Sequence, residues 1–420
     1  MTWFGSVPAH WSTPPVYARY EVQLGKMLDE RQITKRFLAP YLRNTDVQWD
    51  GINVDDLPEM DFDESEQKLY ALRPGDILMC EGGEIGRCAI WDSDRRCFYQ
   101  KALHRLRPTT DKDDPRYFVV VMRAAVDAGI FSSRASAATI QHLPAEKLRV
   151  VRYPAPPIEE QRAIVHHLSM QTARLDALVA AKQRLLDLLA EKRKAIIATA
   201  VTRGLDPHVK LRDSGVPWLG EIPAHWDLKR MKYLFRLVAD KAPVDNDFEL
   251  LSLYTDVGVK PRRELEERGN KASSTDEYWM VLPGDLVVNK LLAWMGAFGV
   301  SEYRGVTSPA YDILRPHDGV ESFFYHHLFR CGVATMEVRA RSYGIMDMRL
   351  RLYFDRLGDM YVPFPPLDEQ RAIVEHIARA TAKLDAVRAA TERTIALLKE
   401  RRAALIAAAV TGQLDVGAAA

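Results

Sequence analysis

The chain has 420 residues, 47% hydrophobic and 27% charged, with a formal net charge of +1; this is the balance of an ordinary globular protein with room for two or three domains. So small a net charge excludes a surface that is basic throughout, so contact with nucleic acid has to come from local Lys and Arg or be completed by a partner. The opening Met-Thr-Trp-Phe-Gly-Ser-Val-Pro lacks the regions of a signal peptide, and no apolar run approaches the roughly 18 residues of a membrane span. The four cysteines, Cys80, Cys88, Cys97 and Cys331, fit neither a disulfide framework nor a paired zinc pattern. A cytoplasmic chain with free thiols is the expectation.

In chain order, residues 1–157 read as one mixed α/β (α+β) unit. Short β-rich runs at Asp76–Cys80 and Arg87–Trp91 are separated by Gly, Asp and Pro turns, and Pro115–Ala128 reads as a helix. Residues 158–206 read as a long helix. Ile164, Leu168, Gln171, Leu175, Leu178, Lys182, Leu185, Leu189, Lys192 and Ile196 alternate spacings of four and three, a heptad seam. Pro156-Pro157 fix its start, Glu159 and Glu160 suit the positive end of its dipole, and Gly204 stands where a helix stops. About 40 residues make a rod of roughly 60 Å, which cannot bury its seam alone.

Residues 207–219 (PHVKLRDSGVPWL) are polar and proline-bearing, a joint to a second α+β unit within 207–366. That unit has strand-like runs at Leu286–Asn289 and Tyr311–Leu314 and a helical stretch at Glu321–Thr335. Residues 367–415 read as a repeat of the long helix, and 416–420 as a flexible tail. The seam returns as Ile373, Ile377, Ala380, Leu384, Val387, Thr391, Thr394, Leu398, Arg401 and Leu405, after Pro365-Pro366 and before Gly412. Residues 154–206 and 363–415 align without a gap, about 30 of 53 positions being identical. The likeness extends to GSVPAHW at 5–11 against GEIPAHW at 220–226, and to LRPGDIL at 72–78 against VLPGDLV at 281–287. Two similar seams in one chain invite pairing as an antiparallel coiled coil.

Chemistry of the chain's own finds little support. No G-x-x-x-x-G-K-[ST] phosphate cradle occurs, and Gly25-Lys26 lacks the upstream glycine. Ser308-Pro309-Ala310-Tyr311 lacks the second proline of an amino-methyltransferase loop, and no glycine-rich cofactor turn precedes it. Glu66-Gln67-Lys68 satisfies half of a nuclease motif, but the surrounding MDFDESEQ reads as a solvated acidic loop. His166, His167 and His376 lack further ligands at helical spacing, and His10 and His225 read as structural beside the core anchors Trp11 and Trp226. No catalytic or metal-binding residue is expected.

The repeat, with EEQRAIV at 159–165, DEQRAIV at 368–374, AVTRGLD at 200–206 and AVTGQLD at 409–415, resembles the specificity subunits of type I restriction–modification systems over essentially the whole chain. Asp213-Ser214-Gly215 with Trp218-Leu219-Gly220 is similar to the family's lead into its second recognition domain. Segments 82–88, 99–105, 289–299 and 308–311 resemble subclasses of these domains. Ser136–Leu143 departs from the pattern, with Ala137 or Ala138 where relatives often carry glycine. The resemblance implies a non-catalytic subunit with two target-recognition domains, each reading half of an interrupted, asymmetric DNA site. It implies two methyltransferase subunits docked on the helices and nuclease/translocase subunits joining them. S-adenosylmethionine, ATP and Mg would belong to those partners and no cofactor to this chain.

Base readout needs polar side chains on loops or helix starts. The first unit offers Arg43, Asn44, Gln48, Arg87, Gln100, Lys101, Arg134, Ser136, Thr139, Gln141 and His142. The second offers Asn289, Lys290, Trp294, Ser308, Tyr311, Arg339, Arg341, Ser342, Tyr343 and Arg349, with Asn289-Lys290 and Arg341–Gly344 favoured. Two competing readings are a coiled-coil adaptor with two peptide-binding domains and a recognition module of another methyltransferase-linked endonuclease system. The first predicts no salt-dependent, sequence-selective DNA binding.

Overall fold

The computed structural model describes residues 3–28, 35–131, 142–255, 257–265, 275, 277–344 and 350–414. The chain forms two compact units, residues 1–183 with 393–420, and residues 184–392. Each unit therefore contains a piece of both long helices.

In the first unit, strands β1 (Tyr20–Leu24), β2 (Ile77–Cys80), β3 (Cys88–Ile90) and β4 (Leu103–Pro108) form an antiparallel sheet in the order β1-β4-β2-β3. Successive strand side chains face opposite sides, and β2 is apolar at all four positions because both sides are covered. Ile77 and Met79 join the core of helix α1 (Pro115–Asp127), with Tyr117, Phe118, Val121 and Met122. Leu78 and Cys80 face Leu42, Trp91 and Tyr99. Residues Leu38–Leu42 run antiparallel to Glu59–Asp61 and parallel to Phe98–Tyr99. The acidic loop expected around Glu66 is instead a short helix, Glu64–Tyr70. Asp63 caps it and Glu66 reaches back to the Asp63 N–H, so the acidic residues satisfy backbone donors that a loop would leave to water.

The second unit has the same sheet: β5 (Phe235–Val238), β6 (Leu286–Asn289), β7 (Phe298–Val300) and β8 (Tyr311–Pro316) in the order β5-β8-β6-β7. Leu286 and Val288 pack with Phe324, Tyr325 and Leu328 of helix α3 (Ser322–Arg330), and Val287 packs with Leu251 and Val259 on the other face. The helical stretch expected through Thr335 is broken after Arg330. Gly332 takes a φ of 98° before a short helix at Thr335–Ala340. The joint at 207–219 holds a strand, Leu211–Asp213, paired with Glu221–Pro223.

The motifs shared by the two halves carry the same local bonds. Asp76 accepts the Arg73 N–H at 2.8 Å and the Arg107 guanidinium at 2.6 and 2.7 Å. Asp285 accepts the Leu282 N–H at 2.9 Å and Arg315 twice at 2.9 Å. The Pro-Gly-Asp turn is thus closed by its own aspartate and locked to the neighbouring strand, β4 in the first unit and β8 in the second. In both His-Trp motifs the histidine bonds to a first-turn glutamate of a long helix, His10 to Glu160 at 3.0 Å and His225 to Glu369 at 2.8 Å. Trp11 also donates to Glu160, whereas the Trp226 N–H is buried and has no partner among the described residues.

The long helices are α2 (Ile158–Arg203) and α4 (Leu367–Val410). Gln161 and Gln370, both fully buried, explain the shared Glu-Gln-Arg motif. Gln161 accepts the Asp114 N–H at 2.9 Å and donates to Lys112 O and Pro156 O, each at 2.9 Å. Gln370 accepts the Glu321 N–H at 2.9 Å and donates to Pro365 O at 2.8 Å. Each glutamine ties the start of a rod to the start of the helix covering the sheet.

Within the first unit, Ile164 and Leu168 share a core with Ile406, Ala409 and Val410, and Arg402 pairs with Asp176 at 3.0 Å. Within the second, Ile197 and Val201 share a core with Ile373 and Ile377, and Arg193 pairs with Asp385 at 3.5 Å. Numbers rise along one helix as they fall along the other, so the segments run antiparallel inside each unit.

The heptad seam needs correcting at its far ends and middle. Leu178 and Val387 are 50% and 46% exposed, and Lys192 and Arg401 are exposed. Ile197 and Ile406 are buried where Ile196 and Leu405 were expected. A 3.5-residue pattern drifts about 20° per heptad on a straight helix; over some 32 residues that is about 90°, close to one residue.

Gly204 and Gly412 end the helices at φ 76° and 72°. A Cβ at Gly412 would lie 2.3 Å from the Pro8 ring. Among the described residues no helix is long and apolar enough to cross a membrane.

Candidate nucleic-acid interface

In the first unit three loops meet at one end of the sheet: 43–48, 81–87 between β2 and β3, and 100–102 before β4. Arg87 donates to Asn44 O at 3.0 Å, Asn44 to Gly82 O at 3.4 Å, the Gln100 N–H to Leu42 O at 3.1 Å and the Glu81 N–H to Ala102 O at 2.9 Å. The Leu143 N–H donates to Glu81 O at 2.9 Å, which brings His142 to the same loops. Arg43, Asn44, Gln48, Arg87, Gln100, Lys101 and His142 therefore gather in one region.

Their duties differ. Arg87 is mostly covered and also pairs with Glu84 at 2.9 Å, so it braces the loops. Arg43 forks onto Asp46 at 2.8 and 2.9 Å while remaining partly exposed, and Gln48 bonds Thr45 O at 2.9 Å. Lys101 and His142 are exposed. Arg134, Ser136, Thr139 and Gln141 lie outside the described residues.

In the second unit the corresponding loop, 290–297 between β6 and β7, meets 308–311 and 341–343. Lys290 donates to Pro309 O at 2.7 Å and pairs with Asp312 at 3.3 Å. Burial pushes the Asp312 carboxyl up, and Lys290 opposes that shift. The Leu352 N–H donates to Lys290 O at 2.9 Å, and Arg339 lies over the Trp294 ring at 5.5 Å. Asn289 is only 8% exposed and accepts the Leu291 N–H at 3.0 Å, so it shapes the loop rather than projecting from it. Ser308 accepts the Ala310 N–H at 3.3 Å, and Tyr311 is half-buried in β8 opposite Asn289.

Arg341 bonds Glu337 at 2.6 Å and Arg356 O at 3.3 Å, and Ser342 caps Val338 O at 2.8 Å. Tyr343 is exposed and bonds Arg356. Arg349 lies outside the described residues. Sequence reading missed Arg351 and Arg356, which no periodicity marks. It also missed Trp49, for which a Trp-Asp-Gly turn was a usable signal.

The free thiols are chemically quiet: burial pushes Cys97 up to about 11, and Cys88 further still. Among the described residues no group of three or more His, Cys, Asp or Glu side chains could hold a metal ion.

The two copies of the sheet carry polar loops at equivalent places. Residues 24–186 match the type I restriction modification DNA specificity domain. The chain is 22% identical over 394 residues to the putative type I restriction enzyme MjaX specificity subunit of Methanocaldococcus jannaschii, covering 90% of this chain and 88% of that protein. It is 21% identical over 374 residues to the EcoBI specificity subunit of Escherichia coli, covering 82% and 75%. By fold it is similar to a chain solved in work on assembly and conformational transition of the type I R-M system (TM-score 0.69, 17% identity, 97% and 100% covered). It is also similar to the HsdS subunit of Thermoanaerobacter tengcongensis (TM-score 0.53, 17% identity, 97% and 98% covered). The class to which the repeat pointed, the type I specificity subunit, is the class these comparisons return.

Proposed function

We infer that this chain reads DNA sequence for a type I restriction–modification complex, each unit taking one half of a bipartite site, and that methyl transfer and cleavage belong to partner subunits. The observation that carries this reading is the duplication: two sheets of identical order present polar loops at the same strand junction, with different side chains in each copy. Different side chains on one frame suit two different half-sites.

The rods supply the second part of the reading. Met170, Leu178, Leu188, Val387 and Leu397 expose apolar surface along α2 and α4, as a docking face for two methyltransferase subunits would. The two helices pairing as a continuous antiparallel coiled coil would support that face. Exchanging residues 1–153 for those of a related chain tests the reading. Methylation mapping of DNA modified by the reconstituted complex should show one half of the site changed and the other kept. A swap that altered both halves would refute modular reading.

A further inference from the structure

The variable loops of the two units share almost no sequence, yet one side chain does the same work in both. Arg123 stands nine residues beyond Asp114, the N-cap of α1, and Arg330 nine beyond Glu321, the N-cap of α3. Each arginine reaches from its helix to the tip of a β-hairpin.

In the first unit the hairpin pairs Val47–Gln48 with Gly51–Ile52. Arg123 lies over the Trp49 ring at 5.3 Å and 3.8 Å from the Asp50 carboxylate. Trp49 in turn donates its indole N–H to Glu84 at 2.9 Å, in the loop between β2 and β3. In the second unit the hairpin pairs Leu251–Tyr254 with Gly258–Pro261. Arg330 donates to Thr255 O at 2.8 Å and Tyr254 O at 3.4 Å at the tip, and to Phe298 O at 2.9 Å where the loop from β6 enters β7. Arg330 thus holds the hairpin and the β6–β7 loop together directly, and Arg123 holds the hairpin whose Trp49 bonds the β2–β3 loop.

The long helices lie behind Arg123, and in the second unit a long-helix arginine lies near α3. Arg123 lines a cleft with Asp50, Asp176 and Arg402, the last two being the ion pair of the first unit. In the second unit the charges of Arg193 and Arg330 both bear on His327 of α3, and Arg193 is held by Asp385. Arg193 and Arg402 are equivalent residues of the repeated helix, as are Asp176 and Asp385.

We propose that Arg123 and Arg330 are equivalent positioning residues, which seat the β-hairpin and loop of each unit against the helix covering its sheet, without reading DNA themselves. This rests on the DNA-reading function inferred above. A guanidinium suits the task because its rigid fork can serve several carbonyls or a ring and a carboxylate at once.

The test uses the full-length chain in complex with its methyltransferase, S-adenosylmethionine, and duplexes carrying single base changes in either half-site. Sequence-selective methylation by the wild-type complex is the control, and its absence would reject the DNA-reading function itself. Arg123→Met should lower discrimination about tenfold, the scale of a single base contact, in the half read by the first unit only. Arg330→Met should do the same in the other half. Arg123→Lys should restore discrimination, because an ammonium can still meet Trp49 and Asp50. Arg330→Lys should not, because one ammonium cannot span the three carbonyls; this variant also serves if Arg330→Met fails to fold. Wild-type discrimination in Arg123→Met or Arg330→Lys, or an equal loss in both halves, would overturn the proposal.

Discussion

Replacing Gln161 by Leu keeps the size of a fully buried side chain and deletes its hydrogen bonds, three of which cross from α2 to the segment leading into α1. The Asp114 N–H loses its acceptor, while Lys112 O and Pro156 O lose a donor. Asp113, 3.2 Å from the amide nitrogen, keeps Arg19 and Tyr153. An orphaned buried donor costs about 1–3 kcal/mol, and each lost bond to a carbonyl about 0.5–1.5 kcal/mol. Relaxation around the carbonyls brings the expected total to about 2–4 kcal/mol. At roughly 1.4 kcal/mol per decade, local opening rises about 30- to 1000-fold. Hydrogen exchange measured by mass spectrometry should show that acceleration in α1 and the start of α2, with α3 unchanged. Gln370→Leu should reverse the pattern. Equal acceleration in both units, or less than about threefold in either, would refute the idea that each glutamine locks its own unit to a rod.

Acid should loosen the second unit through α3. Burial first, then neighbouring positive charge, lowers His326 to about 3 and His327 to about 4, from an ordinary 6.5. Both are neutral in the fold, so their contribution to stability is complete above about pH 6.5 and is lost as pH falls toward those values. Hydrogen exchange of α3 at pH 7 and pH 5 checks this, and slower exchange at pH 5 after correction for intrinsic rates would contradict it. Gly412→Ala forces an L residue into φ 72° and a Cβ into the Pro8 ring, so it should cost more than the roughly 1–2 kcal/mol of the backbone conformation alone. Gly204→Ala, whose Cβ would meet nothing closer than the end of the Glu369 side chain at 3.2 Å and the Trp226 ring at 3.4 Å, should cost less, and paired thermal melts compare them. Leu178→Glu, at a half-exposed site, should change the chain's own stability by less than about 1 kcal/mol yet abolish co-elution with the methyltransferase. Full assembly of that variant would remove Leu178 from the docking face.

The repeat made the architecture legible. Periodicity is dense information in a helix, and both rods begin after Pro-Pro and end at a glycine, as the residues require. Phase was less legible, because a heptad reading assumes supercoiling that Ile197 and Ile406 do not follow. The candidate site was legible as two sets of loops and not as individual roles. Nothing in Asn289-Lys290 says that the asparagine turns inward to hold its own loop while the lysine spans to Pro309. Arg87 likewise looks like a reader of bases until Asn44 and Glu84 are seen to occupy it. Arg123 and Arg330 were invisible as a pair, because their partners lie in segments with no common sequence.

The first unit closes only with residues from the other end of the chain: Ile406, Ala409 and Val410 lie in the same core as Trp11 and Leu168. A ribosome makes residues 184–392 before it makes those three. The first unit therefore cannot close its core until the last part of the chain has been made, which departs from the usual order in which amino-terminal domains fold first. Until then Trp11 and Leu168 lack the cover of the second helix, so a stop codon between 393 and 406 should yield a chain with a sound second unit and a sticky, protease-sensitive first.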